Sequence, residues 1–198
     1  MAYSYAIEQA IRAASVLHKD QVRKGQVPYP YMTHLYAVAL IVSDYTDDDD
    51  TIVAALLHDT LEDTDYEEKE LEDDFGGGVR DIVVSLTEPK RKSNERTEVE
   101  LQKKAYLKQL KEASEKSLIV VAADKIHNMR SVVEEYYDNH TGFIADFGSA
   151  LNDRVMLYQE ISNILNRNLK NAILAEFNSV FTEYKNFIHD VEKKQNEF

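Results

Sequence analysis

The chain contains very few residues that interrupt helices. Its 198 residues include only 6 glycines and 3 prolines, and two of the prolines lie in one short segment, GQVPYPY. Elsewhere apolar residues recur at i, i+3 and i+4, the spacing of a helix with a buried face. This pattern predicts an all-α fold of about 8–10 helices. The predicted helices span about 4–20, 33–45, 49–62, 66–75, 79–87, 96–113, 116–137, 146–167 and 169–194.

Three segments between these helices are predicted to be irregular. GQVPYPY reads as a loop because the residue before a proline disfavours helical backbone angles. DFGGGVRD predicts a helix break, since glycine tolerates unusual backbone angles. EPKRKSNERTE predicts a polar loop. Because no internal repeat is present, we predict a single domain over residues 1–198.

The composition restricts the classes of protein to consider. The formal net charge is −13, which argues against general binding to nucleic acid, since that relies on clustered Lys and Arg. The sequence has no cysteine, so disulfides and thiolate metal sites are excluded. It has neither a run of ~18 apolar residues nor a secretory signal at its start. We therefore expect a cytoplasmic protein that does not span a membrane.

The segment VAALLHDTLEDTD carries an unusual group of polar residues after an apolar run. On one continuous helix, His58, Asp59, Glu62 and Asp63 would share an arc of about 140°, with the leucines facing the core. Three carboxylates within two turns repel one another. A bound divalent cation would offset this repulsion. The alternative is a solvated helix face.

Two other segments favour the metal interpretation. PYMTHLYAVALIV places His34 at the start of an apolar helix, and SLIVVAADKIHNMRS places Asp124 directly after an apolar run. A buried, unpaired carboxylate costs several kcal/mol, so Asp124 needs a cationic partner. Together with His58 and Asp59 these residues would form a mixed nitrogen and oxygen site for Mn²⁺, Fe²⁺, Zn²⁺ or Mg²⁺.

The order of these residues resembles a known family. His34, then HD at 58–59, then Asp124 is similar to the H…HD…D signature of the HD-domain metal-dependent phosphohydrolases. More narrowly, RKGQVPYPYMTH, AALLHDTLEDT, DDFGGGV and ADKIHNMR resemble the hydrolase domain of the RelA/SpoT alarmone enzymes, over residues 1–165. The C-terminal helix, 166–198, lies beyond that core. The resemblance implies a stand-alone small alarmone hydrolase that removes the 3′-pyrophosphate of (p)ppGpp or (p)ppApp.

The resemblance also implies a role for each matching residue. The metal would be Mn²⁺, and the catalytic acids would be Glu62 and Asp63, which position and deprotonate water. Four residues would bind the nucleotide, with Arg23 stacking on the purine. The implied metal ligands are His34, His58, Asp59 and Asp124, and the implied nucleotide-binding residues are Arg23, Lys24, Tyr31 and Asn128.

Three points stay open at this stage. The family commonly has Lys-Leu-Ala-Asp before the last ligand, whereas this chain has Val121-Ala122-Ala123-Asp124, so substrate preference can differ. The alternatives are a broader HD nucleotide phosphatase, acting on deoxynucleotides or on the phosphate of NADPH, and a non-catalytic alarmone-binding module. The oligomer is a monomer or a homodimer, because the apolar face of the last helix fits either its own domain or a partner.

Overall fold

The computed structural model describes residues 3–148 and 151–195. Within those ranges the protein forms ten helices and no strand, which confirms the all-α prediction. The helices are α1 (Tyr5–Leu17), α2 (Met32–Ser43), α3 (Asp49–Leu57), α4 (Thr60–Asp63), α5 (Glu68–Leu86), α6 (Arg96–Glu112), α7 (Glu115–Tyr136), α8 (His140–Phe147), α9 (Leu151–Asn168) and α10 (Ile173–Gln195).

Helices α3 and α7 lie at the centre of the bundle. Helix α7 packs against α2, α3 and α10, and it is buried continuously over residues 117–124. Helix α3 is buried at every position over 51–57. The sequence predicted a helix with one polar and one apolar face in this segment. That prediction is wrong for α3, because the predicted polar residues, His58 to Asp63, come after α3 ends.

The predicted helix over 49–62 ends earlier, at Leu57, and α4 begins at Thr60. Two side chains form hydrogen bonds to backbone carbonyl groups at this point. Thr60 Oγ1 donates to Leu57 O at 2.6 Å, and His58 Nδ1 bonds Ala55 O at 2.8 Å. Such side-chain bonds compete with the backbone ladder and favour a helix end. As a result, His58 and Asp59 lie in the junction between two helices.

Two other predicted boundaries also differ. Helix α5 covers both predicted helices of 66–75 and 79–87, with a kink at Gly76, where φ is 85°. The predicted break is thus present as a kink. The predicted helix over 146–167 is divided, since α8 ends at Phe147 and Gly148 follows with φ of 77°. Residues 149–150 of that prediction lie outside the described ranges.

Helix α10 packs against α7 through the apolar face recognised in the sequence. All seven residues of that face are buried, with exposures of 3% or less. This burial confirms that the face packs within its own chain. The seven are Ile173, Phe177, Val180, Phe181, Tyr184, Ile188 and Val191.

Candidate metal centre and adjoining cleft

Four side chains from three separate segments converge at the junction of α3 and α4. We call His34, His58, Asp59 and Asp124 the His–Asp cluster. His34 Nε2 lies 3.2 Å from Asp124 Oδ1 and 3.6 Å from Asp59 Oδ2. His58 Nε2 lies 3.1 Å from Asp59 Oδ2 and 3.7 Å from Asp124 Oδ1. The structure therefore brings together all four residues predicted as metal ligands.

The hydrogen bonds of both histidines leave one ring nitrogen of each for the cluster. His58 Nδ1 bonds the carbonyl of Ala55 at 2.8 Å, so Nδ1 carries a proton and Nε2 faces the cluster. Burial acts to lower the His58 pKa, but Asp59 and Asp124 outweigh it and hold the pKa well above its ordinary value; a metal ion bound at Nε2 would displace the second proton. His58 Nε2 is buried and has no hydrogen-bond partner among the described residues. His34 Nδ1 bonds His127 Nδ1 at 2.8 Å. This is the pattern in which a second hydrogen bond orients a metal-binding imidazole.

The two aspartates of the cluster are ionised. Burial acts to raise the pKa of Asp59, but the adjacent His58 outweighs it and the net pKa lies below its ordinary value. Burial also opposes ionisation of Asp124, yet the neighbouring cation of Lys125 holds the pKa well below the usual range. Lys125 Nζ donates to Asp124 Oδ2 at 2.7 Å, while Oδ1 faces the histidines. Two carboxylates and two imidazole nitrogens around one point fit a divalent cation, which would replace the protons on the imidazole nitrogens that face it.

The donor atoms also meet a distance criterion for metal binding. Ligand atoms of His34, His58 and Asp59 all lie within 4.8 Å of one another, and Asp124 Oδ1 is within 3.7 Å of both histidines. The buried His58 Nε2, which has no hydrogen-bond partner among the described residues, lies beside the buried Asp124 and the partly buried Asp59, a costly arrangement unless something positive completes the site. The residues present therefore fit a metal ion.

The predicted acids Glu62 and Asp63 lie on α4, immediately beyond the cluster. Glu62 keeps contact with solvent, but neighbouring atoms enclose its carboxyl group, and this partial removal from water raises its pKa to about 7. Glu62 Oε1 accepts a hydrogen bond from the backbone N–H of Glu88 at 2.5 Å. Partial burial and the charge of Asp59 raise the pKa of Asp63. Both acids thus hold protons more tightly than free carboxylates do.

A cavity of about 40 Å³ joins Glu62 to the cluster. Its volume suits one or two water molecules. The residues His58, Asp59 and Asp124 form one side, and Glu62 and Lys125 are also in its lining. Val121, at the position where the related family commonly has lysine, is buried and belongs to the same wall.

A larger cleft of about 250 Å³ is lined by three of the predicted nucleotide-binding residues, Arg23, Lys24 and Asn128. Arg23 Nη2 donates to Asn128 Oδ1 at 2.7 Å, and Asn128 Nδ2 donates to Asp124 Oδ1 at 2.5 Å. This chain of bonds connects the cleft to the His–Asp cluster. The loop that carries Arg23 is fixed by an antiparallel bridge between Val22 and Pro30.

Tyr31 is placed differently from the other three. Its hydroxyl donates to Asp59 Oδ2 at 2.6 Å, and the Arg23 guanidinium lies 5.5 Å from its ring centre. Tyr31 is not part of the lining of the larger cleft. Tyr31 therefore lies against Asp59 of the His–Asp cluster.

Sequence reasoning missed several residues around the site. Arg154 of α9 and Phe147 of α8 line the larger cleft, and the Phe147 ring lies 4.7 Å from the Arg154 guanidinium and 5.1 Å from Lys24 Nζ. No local pattern singles out Arg154. His127 and His18 carry a weak signal, because each is a histidine close to a site motif.

The family model described as the HD domain matches residues 10–143. The chain belongs to the HD-domain family. The match includes all four residues of the His–Asp cluster and both acids. Its relatives include guanosine-3′,5′-bis(diphosphate) 3′-pyrophosphohydrolases and GTP pyrophosphokinases.

Relatives of very different length share this region. The guanosine-3′,5′-bis(diphosphate) 3′-pyrophosphohydrolase MESH1 of Xenopus tropicalis is 37% identical over 128 residues, covering 64% of this chain and 69% of the relative. The corresponding protein of Danio rerio is 35% identical over 129 residues, covering 63% and 67%. A GTP pyrophosphokinase of Streptomyces coelicolor is 37% identical over 127 residues, which are 64% of this chain but only 14% of the relative.

Two solved structures share the fold. One is from a study of a metazoan ortholog of SpoT, with 23% identity, a TM-score of 0.75, and coverage of 92% of this chain and 97% of the other. A protein of Listeria monocytogenes has 25% identity, a TM-score of 0.62, and coverage of 83% and 99%. These matches support the helical-bundle fold. In the described part of the chain, no helix is both long enough and apolar enough to cross a bilayer.

Proposed function

We propose that this chain is a metal-dependent 3′-pyrophosphohydrolase that acts on guanosine or adenosine alarmones. It converts ppGpp or pppGpp into GDP or GTP and releases pyrophosphate. The observation that carries the proposal is the His–Asp cluster lying beside Glu62, a carboxyl group with a pKa of about 7. The names of the Xenopus and Danio relatives give the same reaction for those proteins.

The four residues of the His–Asp cluster would hold the ion, which we propose to be Mn²⁺. Two nitrogen and two oxygen donors without thiolates suit this ion, although Zn²⁺ and Fe²⁺ accept similar donors. When bound, a divalent ion would lower the pKa of a coordinated water and reduce the repulsion from phosphate charge. The Nδ1 bonds of His34 and His58 keep both Nε2 atoms oriented for this task.

Glu62 and Asp63 supply the acid–base chemistry in this proposal. A carboxyl group with a pKa of about 7 matches the operating pH, which is the condition for efficient general base catalysis. Glu62 accepts a proton from water, whose oxygen bonds to the phosphorus attached to the 3′-oxygen. The bond between that phosphorus and the 3′-oxygen breaks, the 3′-oxygen takes a proton from solvent water to become the 3′-hydroxyl, and Glu62 returns its proton to solvent. Asp63 orients the water.

The nucleotide would occupy the cleft lined by Arg23, Lys24 and Asn128. An Arg side chain offers a flat face for stacking on a purine, and Lys a point charge for phosphate. Arg154, on the same cleft, adds a third cation. Three cations and one carboxylate, that of Glu135, line the cleft, so its lining is net positive in a chain of net charge −13, which favours an anionic ligand at this place. Tyr31 supports the site through its bond to Asp59.

A product assay tests the proposal. Protein loaded with Mn²⁺ is incubated with ppGpp, pppGpp, ppApp and NADPH, and the products are separated by anion-exchange chromatography. We expect pyrophosphate and the corresponding nucleoside diphosphate or triphosphate. Inorganic phosphate alone would indicate a broader HD nucleotide phosphatase. Binding of ppGpp without turnover would indicate a non-catalytic alarmone-binding module.

Two variants control this assay. Asp59→Asn removes a charged ligand of the His–Asp cluster and should abolish turnover. Glu160→Gln changes an exposed carboxylate on α9 and should behave like the wild type. Equal activity of Asp59→Asn and the wild type would trace the activity to a contaminating hydrolase.

A further inference from the structure

His18 and Gln21 form a hydrogen-bonded pair beside the acid-bearing turn of α4. The imidazole of His18 is only 2% exposed, which is unusual for a residue immediately after a helix. His18 Nδ1 lies 2.7 Å from Gln21 Oε1, and Gln21 Nε2 donates to the carbonyl oxygen of Asp63 at 2.7 Å. Because the amide oxygen only accepts, His18 Nδ1 is the donor. Both ends of the Gln21 amide are therefore used.

The bond from Gln21 acts on the last residue of α4. The final carbonyl groups of a helix have no partner within the helix, and α4 is only four residues long, Thr60–Asp63. Gln21 provides the missing partner for Asp63 and so fixes the backbone from which the Asp63 carboxyl group extends. His18 in turn fixes the orientation of the Gln21 amide.

A second contact connects the same pair to the metal-binding residues. The His18 ring stacks on the Tyr31 ring, with centroids 5.3 Å apart and planes 19° apart. The Tyr31 hydroxyl donates to Asp59 Oδ2 at 2.6 Å, and Tyr31 N–H donates to Gln21 O at 2.9 Å. The pair thus contacts the supports of Asp59 and Asp63 at the same time.

We propose that His18 and Gln21 are positioning residues that set the orientation of Asp63 relative to Asp59. Neither residue lines the cavity or the cleft, and they act through Asp63 O and Tyr31. Their kinetic consequence depends on the proposed hydrolase function, whereas their structural consequence does not. Displacement of a catalytic group by about 1 Å can reduce turnover about 100-fold. Because Gln21 bonds to Asp63, which is not one of the four residues of the His–Asp cluster, loss of this bond should lower kcat more than it changes KM or metal affinity.

Gln21→Met tests the pair with a side chain of similar length that cannot form either hydrogen bond. We expect kcat to fall about 10- to 100-fold, with KM and the Kd for Mn²⁺ within about twofold of the wild type. His18→Phe keeps a ring for stacking on Tyr31 but loses the bond to Gln21, and it should lower kcat similarly. The double variant should be no worse than the more impaired single variant, because residues acting as one unit are not additive.

Asn171→Leu is a matched control, since Asn171 Nδ2 also donates to a backbone carbonyl, that of Tyr45, at 3.1 Å. Asn171 lies in neither the cavity nor the cleft. This variant should keep the wild-type kcat. Asn171 Oδ1 also accepts a hydrogen bond from the Ile173 N–H at 3.0 Å. Each variant therefore loses two side-chain bonds, and their comparison separates that general loss from a loss of positioning.

Amide hydrogen exchange of the metal-free protein gives a readout that does not require activity. Loss of the Gln21 bond should accelerate exchange at Asp63 and Thr64, whose N–H groups bond within α4, without accelerating exchange in α7. Unchanged exchange at α4, or a wild-type kcat in Gln21→Met, would overturn the positioning role. If the wild type hydrolyses no alarmone but exchange at α4 still rises in Gln21→Met, the hydrolase proposal fails and the structural role of the pair is supported.

Discussion

Replacement of Glu62 by Gln separates the acid–base chemistry from metal binding. Glutamine has the same shape as glutamate. Its Oε1 can still accept the hydrogen bond that the Glu88 N–H donates to Glu62 Oε1 in the wild type, at 2.5 Å. The backbone conformation around residue 62 should therefore be unchanged in the variant. None of the four residues of the His–Asp cluster is altered. The variant loses the ability to accept a proton and, with it, the negative charge of the ionised carboxylate.

The size of the expected effect follows from the role of the base. General base catalysis contributes about 10²- to 10⁴-fold, which corresponds to about 2.7–5.4 kcal/mol in the activation barrier. Because burial raises the Glu62 pKa to about 7, the wild type gains activity as pH rises and the carboxyl group ionises. Between pH 6 and pH 8 the ionised fraction rises about tenfold for such a group. Glu62→Gln should lack this rising limb of the profile.

The assay measures pyrophosphate release at saturating ppGpp and Mn²⁺ from pH 5.5 to pH 9. Metal affinity is measured in parallel by calorimetry, and Glu160→Gln is the matched carboxylate control. We expect kcat to fall at least 100-fold with an unchanged Kd for Mn²⁺. A Glu62→Gln enzyme with kcat within threefold of the wild type, or with the same pH limb, would refute the assignment of Glu62 as the base.

Three further substitutions test other parts of the account. Arg23→Ala removes a cation from the cleft and should raise KM for ppGpp about 10- to 100-fold, the effect of one lost charged hydrogen bond, with a smaller change in kcat; an unchanged KM would argue against nucleotide binding in this cleft. Asp124→Asn leaves the Lys125 cation, now 2.7 Å from Asp124 Oδ2, without its carboxylate, and should lower the free energy of unfolding by about 3–5 kcal/mol; a urea midpoint equal to that of the wild type would contradict this. Phe177→Ala empties a fully buried position between α10 and α7 and should cost about 3–5 kcal/mol in the same urea experiment, whereas a loss below 1 kcal/mol would show that α10 contributes little to the core.

The helical fold could be predicted because its evidence is local. The apolar face of α10, from Ile173 to Val191, has a regular helical period and is buried as expected. The end of α3 at Leu57 could not be predicted in this way, because it depends on side-chain bonds from His58 and Thr60 to the preceding carbonyl groups. The helical spacing of apolar residues continues through the junction of α3 and α4, so the spacing predicts one continuous helix there.

The site shows the same division between local and long-range information. Polar residues that border apolar runs pointed to His34 and Asp124, but only the fold shows that these residues converge with the junction of α3 and α4. Arg154 reaches the cleft because α8 and α9 return towards α7, an arrangement without a signature in the neighbouring sequence. His18 looks like a surface residue from its position after α1, and its burial depends on Tyr31 from the next helix.

Titration of metal-free protein with Mn²⁺, followed by anomalous diffraction at the manganese edge, tests the proposed metal site. We predict one strongly bound ion per chain, coordinated by His34, His58, Asp59 and Asp124, and its loss in Asp59→Asn but not in the exposed control Asp153→Asn. An ion bound elsewhere, or equal affinity in the wild type and Asp59→Asn, would contradict this assignment.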